Sequence, residues 1–545
     1  MLRPKILDTL KDYSHEKFFR DALAGIVVGI FSLPLAIAFS IASGVGPERG
    51  IITAVIAGFI VSFLGGSRTQ IGGPTGAFVI IIYSIVQNYG INGLLISTVM
   101  AGIFLILLGI FKAGTLIKFI PHSVIVGFTS GIALIIFSSQ LSDALGLEIG
   151  SLPSDFIEKM SVIFSNISHF NAYSLAIAAG TILLMTLWPK RVKVPGSIVA
   201  IFIFSFLAFT LSLPVETIGS RFGELSMSLS FISFHSIDLS IIRKLISPAF
   251  TIAILAAIES LLSAVVADGM IGSKHRPNTE LVAQGAANIV APLFGGIPAT
   301  GALARTAINI KNGGRTPIAG IVNSFVILIT MLFLGNYVKH IPMACLAGIL
   351  MVVAYNMSEW RSFLSMMKMS KSSLTVVLAT FFFTVFVDLT FAIEMGLILA
   401  SLMFISKMTM YTNISKINIE DDSAGESEDL EALPEGILAY EVNGPLFFGA
   451  AYKLKEEMEN ISSDAEVIIV KMGNVPMIDS SGIHLLEDIV KEMKAEKIEM
   501  LISGMQPQIL EMLERSGLEQ KIGRDKLFDR FDQALDSAKE NILKK

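Results

Sequence analysis

Apolar runs of about 20 residues, the length an α-helix needs to cross a bilayer, recur from Ala22 to Met408. Inside lipid every backbone polar group must be satisfied within the protein, so runs of this kind are restricted to helices. The composition agrees: 53% of residues are hydrophobic and 16% charged, where soluble proteins carry about a quarter charged residues. After Tyr411 the composition becomes that of a soluble chain. The expected organisation is a basic N-terminal segment (1–21), a membrane domain (22–411), an acidic linker (412–435) and a small globular domain (436–545). Arg3, Lys5, Lys11, Lys17 and Arg20 precede the first run. That run is too long for a signal peptide and leads into further spans, so it is expected as a retained first helix.

Fourteen segments are predicted: Ala22–Ser43, Ile51–Leu64, Gly76–Val86, Gly93–Phe111, Val124–Leu141, Ser174–Trp188, Ser197–Leu213, Pro248–Ala267, Leu281–Leu293, Ala302–Ile310, Pro317–Phe333, Met343–Tyr355, Leu374–Val387 and Phe391–Met408. The third and tenth are too short to cross as full helices. Lysine and arginine favour the cytoplasmic connections. They gather after the even-numbered segments, at Arg68, Lys112, Lys118, Lys190, Arg191, Lys193, Lys274, Arg276, Lys311, Arg315, Arg361, Lys368 and Lys371, with Arg243 and Lys244 as a mild exception. The connection Ser142–Tyr173 instead holds Asp143, Glu148, Asp155 and Glu158 against Lys159. Both termini are therefore expected in the cytoplasm, with the protein in the plasma membrane (the inner membrane of a bacterium).

One motif occurs twice. The third segment opens Gly72-Gly73-Pro74-Thr75-Gly76-Ala77, and the tenth opens Gly295-Gly296-Ile297-Pro298-Ala299-Thr300-Gly301-Ala302. Both sit third in a group of seven. Interrupted short segments at matching positions in two halves point to a transporter's site. Broken backbone survives at membrane depth only where it lines a cavity or is covered by protein. Two half-helix N-termini facing one space present N–H groups and positive dipole ends, which bind an anion without a charged side chain. Seven segments per half is an odd number, so the repeat is expected to be inverted. Turn chemistry occurring twice by chance is the bland alternative, and the matched order and position argue against it.

Glu259 lies alone within an apolar span. A charge at the bilayer centre costs about 3 kcal/mol or more, and a carboxyl there can trade its charge for a proton, as a coupling residue must. Ser263, four residues on, shares its helix face. Arg305 follows the second break by one turn and either adds positive charge to the anion site or pairs with Glu259. Phe39 follows Pro34 in the first span, where an aromatic lines a site or merely packs.

Strands are predicted at Leu438–Val442, Glu466–Lys471 and Glu499–Ser503, and helices at Ala451–Met458, Ser481–Ala495, Gln508–Ser516 and Phe531–Ile542. Alternation of this kind describes a small α/β domain. Asp479 and Ser480 sit at a strand-to-helix corner, as an N-cap or as a regulatory, partner-binding or phosphorylatable loop. Cys345 is the only cysteine, so no intramolecular disulfide forms. Histidines are scattered and no cofactor or catalytic spacing occurs, so no cofactor, metal or enzymatic activity is expected. A net charge of −5 makes no case for nucleic acid.

These residues resemble the SulP sulfate-permease family of anion transporters with a C-terminal STAS domain. Gly73-Pro74-Thr75-Gly76, Glu259-Ser260-Leu261-Leu262 with Ala267-Asp268-Gly269-Met270, Pro298-Ala299-Thr300-Gly301 with Arg305, and the STAS-like corner Asp479-Ser480-Ser481-Gly482 carry the resemblance. It implies an α-helical polytopic membrane protein of 7+7 inverted repeats, divided into core and gate domains, working as a homodimer by elevator-like alternating access. It implies substrate-binding residues Phe39, Thr75, Gly76, Ala77, Gly301, Ala302 and Leu303, with Arg305 behind them. Many members have glutamine just after the first-span proline, where this chain has Leu35. Members with aspartate at the Glu259 position resemble sodium-coupled bicarbonate importers, and Glu259 looks more like the proton-coupled ones.

The expected function is secondary active transport of a small anion, sulfate or a related inorganic anion or a C4-dicarboxylate. Coupling to protons is expected over sodium, with Glu259 and Ser263 at the coupling site. The expected partners are that anion, the proton, membrane lipid, a second copy and a cytoplasmic partner of the STAS domain. Sodium-coupled bicarbonate uptake, channel-like conductance and a signalling scaffold acting through the STAS domain are the alternatives.

Overall fold

The computed structural model describes residues 2–11, 13–115, 121–149, 152–153, 155–189, 195–223, 239–368, 371–417, 433–459 and 465–543. Lys118, Lys190, Arg191, Lys193 and the acidic stretch 421–432 lie outside them. The chain divides into two compact units, Met1–Ala400 and Ser401–Lys545.

In the first unit the helices run α1 (Ile6–Thr9), α2 (His15–Ala42), α3 (Pro47–Leu64), α4 (Val79–Ile110), α5 (His122–Leu145), α6 (Phe156–Ser165), α7 (Ala172–Leu187), α8 (Gly196–Thr210) and α9 (Ile218–Phe222). They continue as α10 (Leu239–Ile271), α11 (Pro277–Leu293), α12 (Leu303–Lys311), α13 (Pro317–Val338), α14 (Met343–Met357), α15 (Trp360–Met367), α16 (Lys371–Phe386) and α17 (Leu389–Tyr411), whose last residues, from Ser401, belong to the second unit. Among the described residues, seven helices are long and apolar enough to cross a membrane. Each predicted segment falls on one of these helices. The third and fourth, expected as separate pieces, are one helical run interrupted at Gly90, whose φ of 66° ends one helix and starts the next. Only glycine adopts that backbone without strain.

Two bundles are distinguishable. In one, α4 packs on α10 and α11, α13 packs on α2 and α3, and α12 packs on α10 and α2. In the other, α5 packs on α14 and α16, and α7 packs on α14 and α8. Small residues let helix backbones approach in lipid, where no hydrophobic force joins them. At the α4–α11 crossing, a Cβ on Gly102 would lie 2.7 Å from the Gly285 carbonyl oxygen, and one on Gly285 would lie 2.6 Å from that of Gly102.

Several basic connections meet at one end of this unit. Arg276 pairs with Asp8 at 2.7 Å and bonds the Arg3 carbonyl, and Lys5 bonds the Lys274 carbonyl. Burial, and then the charges of Arg276 and Arg68, draw the Lys5 ammonium below its ordinary value. Buried Asp21 accepts from Tyr13, Arg315 and Thr316 there. Elsewhere Arg221 joins Asp143 (2.7 Å) to Glu216 (2.5 Å).

The second unit holds a sheet in the order β3 (Asn413–Lys416), β4 (Ile437–Asn443), β5 (Val467–Asn474), β6 (Glu499–Ser503) and β7 (Leu527–Phe528). The β3–β4 pair is antiparallel and the others parallel. One face packs on α18 (Phe448–Glu459), α19 (Ser480–Ala495), α20 (Pro507–Ser516) and α21 (Leu518–Ile522). The other packs on α22 (Phe531–Leu543) through Ala534, Leu535 and Ala538. The three predicted strands and four predicted helices are present. Two strands were not predicted: the two-residue β7, and β3 at Asn413–Lys416, expected as linker. A polar edge strand exposed along most of its length has no hydrophobic alternation to reveal it, and its register comes from pairing with β4.

Candidate functional site

The two glycine-proline motifs meet. β1 (Gly72–Gly73) pairs antiparallel with β2 (Thr300–Gly301), Gly72 opposite Gly301 and Gly73 opposite Thr300. A single-turn helix, Gly76–Phe78, follows the first break and leads into α4, while α12 follows the second. Neither Thr75 nor Ala302, the cap residues, closes its helix with a side-chain bond. The first-turn N–H groups of a helix have no partner within it.

Side chains from other helices hold both breaks. Asn288 of α11 bonds both the amide and the carbonyl of Ala299, at 2.9 and 2.8 Å. Thr53 of α3 accepts the Ile297 amide at 2.7 Å, and Arg49 bonds the Gly295 carbonyl at 2.9 Å. Before the first break, Glu280 accepts the amides of Gly66 and Ser67 at 2.8 and 3.0 Å, and Asn309 bonds the Thr69 carbonyl. Thr306 accepts the Ile71 amide, and Ala302 donates its own amide to the Ile71 carbonyl. Backbone that leaves the helical ladder thus regains partners before it reaches the pair of breaks.

Glu259 of α10 lies against the first break. Thr75 donates its hydroxyl to the Glu259 carboxylate at 3.0 Å. Next to it on α10, the Ser260 carbonyl accepts from Gln70, and the Ala256 carbonyl accepts from Thr300. One helix therefore touches both broken segments. Ser263 bonds Thr306 at 3.4 Å rather than sharing a partner with Glu259.

Arg305 is 2% exposed. Its Nη2 donates to the Pro74 carbonyl at 3.0 Å, and its Nη1 has no hydrogen-bond partner. Among the described residues it makes no ion pair with Glu259, so of the two roles expected for it the pairing is not formed. The guanidinium from the second break bonds the first at Pro74, while the carboxylate is bonded one residue on, at Thr75.

Phe39 is buried, and a Cβ on Gly76 would lie 3.2 Å from its ring and 2.8 Å from Met357 Sδ. That places a first-span aromatic against the first break. Ala77 and Ala302 are buried, whereas Leu303 is 44% exposed. Gln70 was not anticipated, yet a Cβ on Gly301 would fall 1.4 Å from its Nε2. Its only sequence signal was a lone amide two residues before the first motif. In the second unit, Asp479 caps α19 by accepting the Gly482 amide at 2.7 Å, and Ser480 beside it is exposed. The N-cap reading of Asp479 is therefore the one this geometry displays.

A helical membrane body with paired breaks beside the half-buried Glu259, followed by a separate α/β domain, defines a polytopic membrane transporter with a second, α/β unit. Residues 18–380 match the model of the Sulfate permease family and residues 432–534 that of the STAS domain. The chain belongs to the sulfate permease family: it is a membrane-embedded transporter and not an enzyme. It is 41% identical over 526 residues to YvdB of Bacillus subtilis (strain 168), provisionally named a sulfate transporter, covering 96% of this chain and 98% of that one. It is 29% identical over 536 residues to the bicarbonate transporter BicA of Picosynechococcus sp., covering 95% and 94%. In fold it is similar to the murine solute carrier 26 family member A9 anion transporter, solved in an inward-facing state. The TM-score is 0.87 at 18% identity, over 98% of this chain and 94% of that one.

Proposed function

We propose that this protein is a secondary active carrier of a small anion, taking sulfate or a C4-dicarboxylate together with a proton. The observation that carries the reading is the antiparallel meeting of the two breaks, with Thr75 bonded to the Glu259 carboxyl at 3.0 Å. Backbone N–H groups of the two first turns receive the anion, with Phe39, Thr75, Gly76, Ala77, Gly301, Ala302 and Leu303 around it and Arg305 behind. Glu259 takes up the proton, with Ser263 near it on α10. A negative carboxylate beside the anion opposes binding, and its protonation removes that repulsion. This links the two ligands without contact between them.

The bundle around the breaks serves as the core and the α5–α7–α14–α16 bundle as the gate, and core movement past gate gives alternating access. Residues 22–411 form the transport domain and 436–545 the regulatory one, with Asp479 and Ser480 as its contact for a cytoplasmic partner. Both termini are placed in the cytoplasm, in the plasma membrane, and two copies assemble. Bicarbonate is the second reading, favoured by the 29% identity to BicA over nearly the whole chain.

The test is uptake of labelled sulfate, succinate and bicarbonate into proteoliposomes, with and without an inward proton gradient. Gradient-stimulated uptake that Glu259→Gln uncouples is the expected result. Uptake indifferent to the gradient removes the proton, and wild-type coupling in Glu259→Gln removes that residue's role.

A further inference from the structure

A cavity of about 470 Å³ opens between the two bundles of the first unit. One wall is Ile41 and Ala42, just past Phe39, with Val79 and Ile80, just past the Gly76–Phe78 turn. These wall residues follow the elements at the breaks directly in the chain. Lys159 of α6 lines it and is 5% exposed.

The charges lining this space are not equivalent. Arg221 is held by Asp143 at 2.7 Å and by Glu216 at 2.5 Å. Asp155 accepts the amides of Ile157 and Glu158, and Asp388 accepts the Phe391 amide at the start of α17. The Lys159 ammonium has neither a hydrogen bond nor an ion pair among the described residues. Burial lowers its pKa, and the charge of Asp155 one turn earlier pulls it back up. A buried ammonium without a contact partner is costly, and an anion in the cavity removes that cost.

We propose that this cavity is an anion-capture site, in which Lys159 holds a small inorganic oxyanion on the external path before it reaches the breaks. The inference rests on the carrier reading and on the orientation that makes the Ser142–Tyr173 connection external. The cavity is several times larger than an oxyanion, so the ion keeps part of its water. Capture is by charge more than by fitted hydrogen bonds, and it weakens as salt screens that charge.

Cys345, the sole cysteine, is buried, so a thiol introduced by Ser139→Cys on the cavity wall reports the local potential in the full-length protein. The readout is the ratio of its reaction rates with an anionic and a cationic methanethiosulfonate, with and without sodium sulfate at constant ionic strength. With Lys159 present the anionic reagent is favoured. Sulfate held at Lys159 slows the anionic reagent and not the cationic one, and so lowers the ratio. Lys159→Gln is expected to lower the ratio several-fold and abolish protection by sulfate, and Lys159→Arg to retain both. A ratio or a sulfate protection that Lys159→Gln leaves unchanged overturns the proposal. Gln87→Cys serves as the reporter if Ser139→Cys does not fold. In right-side-out vesicles Lys159→Gln raises the KM for external anion several-fold at unchanged kcat, and a fall in kcat at constant KM also overturns it. Retained potential and protection without any uptake would instead sink the carrier reading and leave the capture site standing.

Discussion

Gly73→Ala is the substitution from which most can be learned. Gly73 has φ +152°, a region occupied essentially by glycine alone, where another residue is strained by about 1–3 kcal/mol. The new methyl carbon would also lie 2.2 Å from Arg305 Nη1, so the guanidinium must withdraw. Withdrawal breaks its 3.0 Å bond to the Pro74 carbonyl, and a hydrogen bond from a charged group is worth about 1.5–3 kcal/mol. Together these predict a loss of about 2.5–6 kcal/mol, a large share of the stability of an ordinary domain. The assay is the unfolding of purified full-length protein in detergent, in a double-mutant cycle with Arg305→Met. In the Arg305→Met background the clash is gone, and Gly73→Ala should cost only the backbone strain, about 1–3 kcal/mol. Equal costs in both backgrounds would refute the contact, and no cost in either would refute the backbone argument as well.

Asn288→Ala leaves the Ala299 amide and carbonyl without their side-chain partner, and each unsatisfied buried group costs about 1–3 kcal/mol. Lower thermal stability and faster amide exchange at Ala299 are the expected result, with Asn288→Asp recovering only the amide bond. Asp479→Ala should destabilise the second unit by about 1 kcal/mol through loss of the α19 cap, while Ser480→Ala leaves its stability unchanged in hydrogen exchange. Partial burial works against ionisation of Glu441, but hydrogen bonds from Lys471 and Asn443 outweigh it and hold the carboxyl below its ordinary value. A folded-state pKa below the unfolded one stabilises above the unfolded value, about 4.3, and that stabilisation is lost as pH falls through the folded value. Lys471→Met should therefore reduce second-unit stability at pH 7 by under about 1 kcal/mol, because the pair is half-exposed, and the difference should vanish in acid.

Much of the molecule is legible in its sequence because lipid imposes one rule: apolar length becomes helix. The segment list follows from that rule, and so does the position of the two breaks, since Gly-Gly-Pro-Thr-Gly cannot continue a helix. The second unit's main strands follow from alternation, as residues 468, 470 and 472 face one layer and 467 and 469 the other. β3 escaped because an exposed edge strand carries no such signature. Arg305 shows the limit at the site. Its proximity to the breaks follows from spacing, but whether it would meet Glu259 or a carbonyl depends on ångström-scale reach between segments some 230 residues apart.

What the sequence settled by itself is local: where the chain is apolar, where its backbone breaks, and that one carboxyl stands alone in an apolar span. The tertiary structure decided which groups meet. It set Thr75 against Glu259, ran Gln70 alongside Gly301, used Asn288 to hold Ala299, and buried Lys159 beside a cavity. The reason is physical: local geometry is a property of consecutive residues, whereas a partner for a buried polar group is supplied by whichever distant segment the packing brings within about 3 Å.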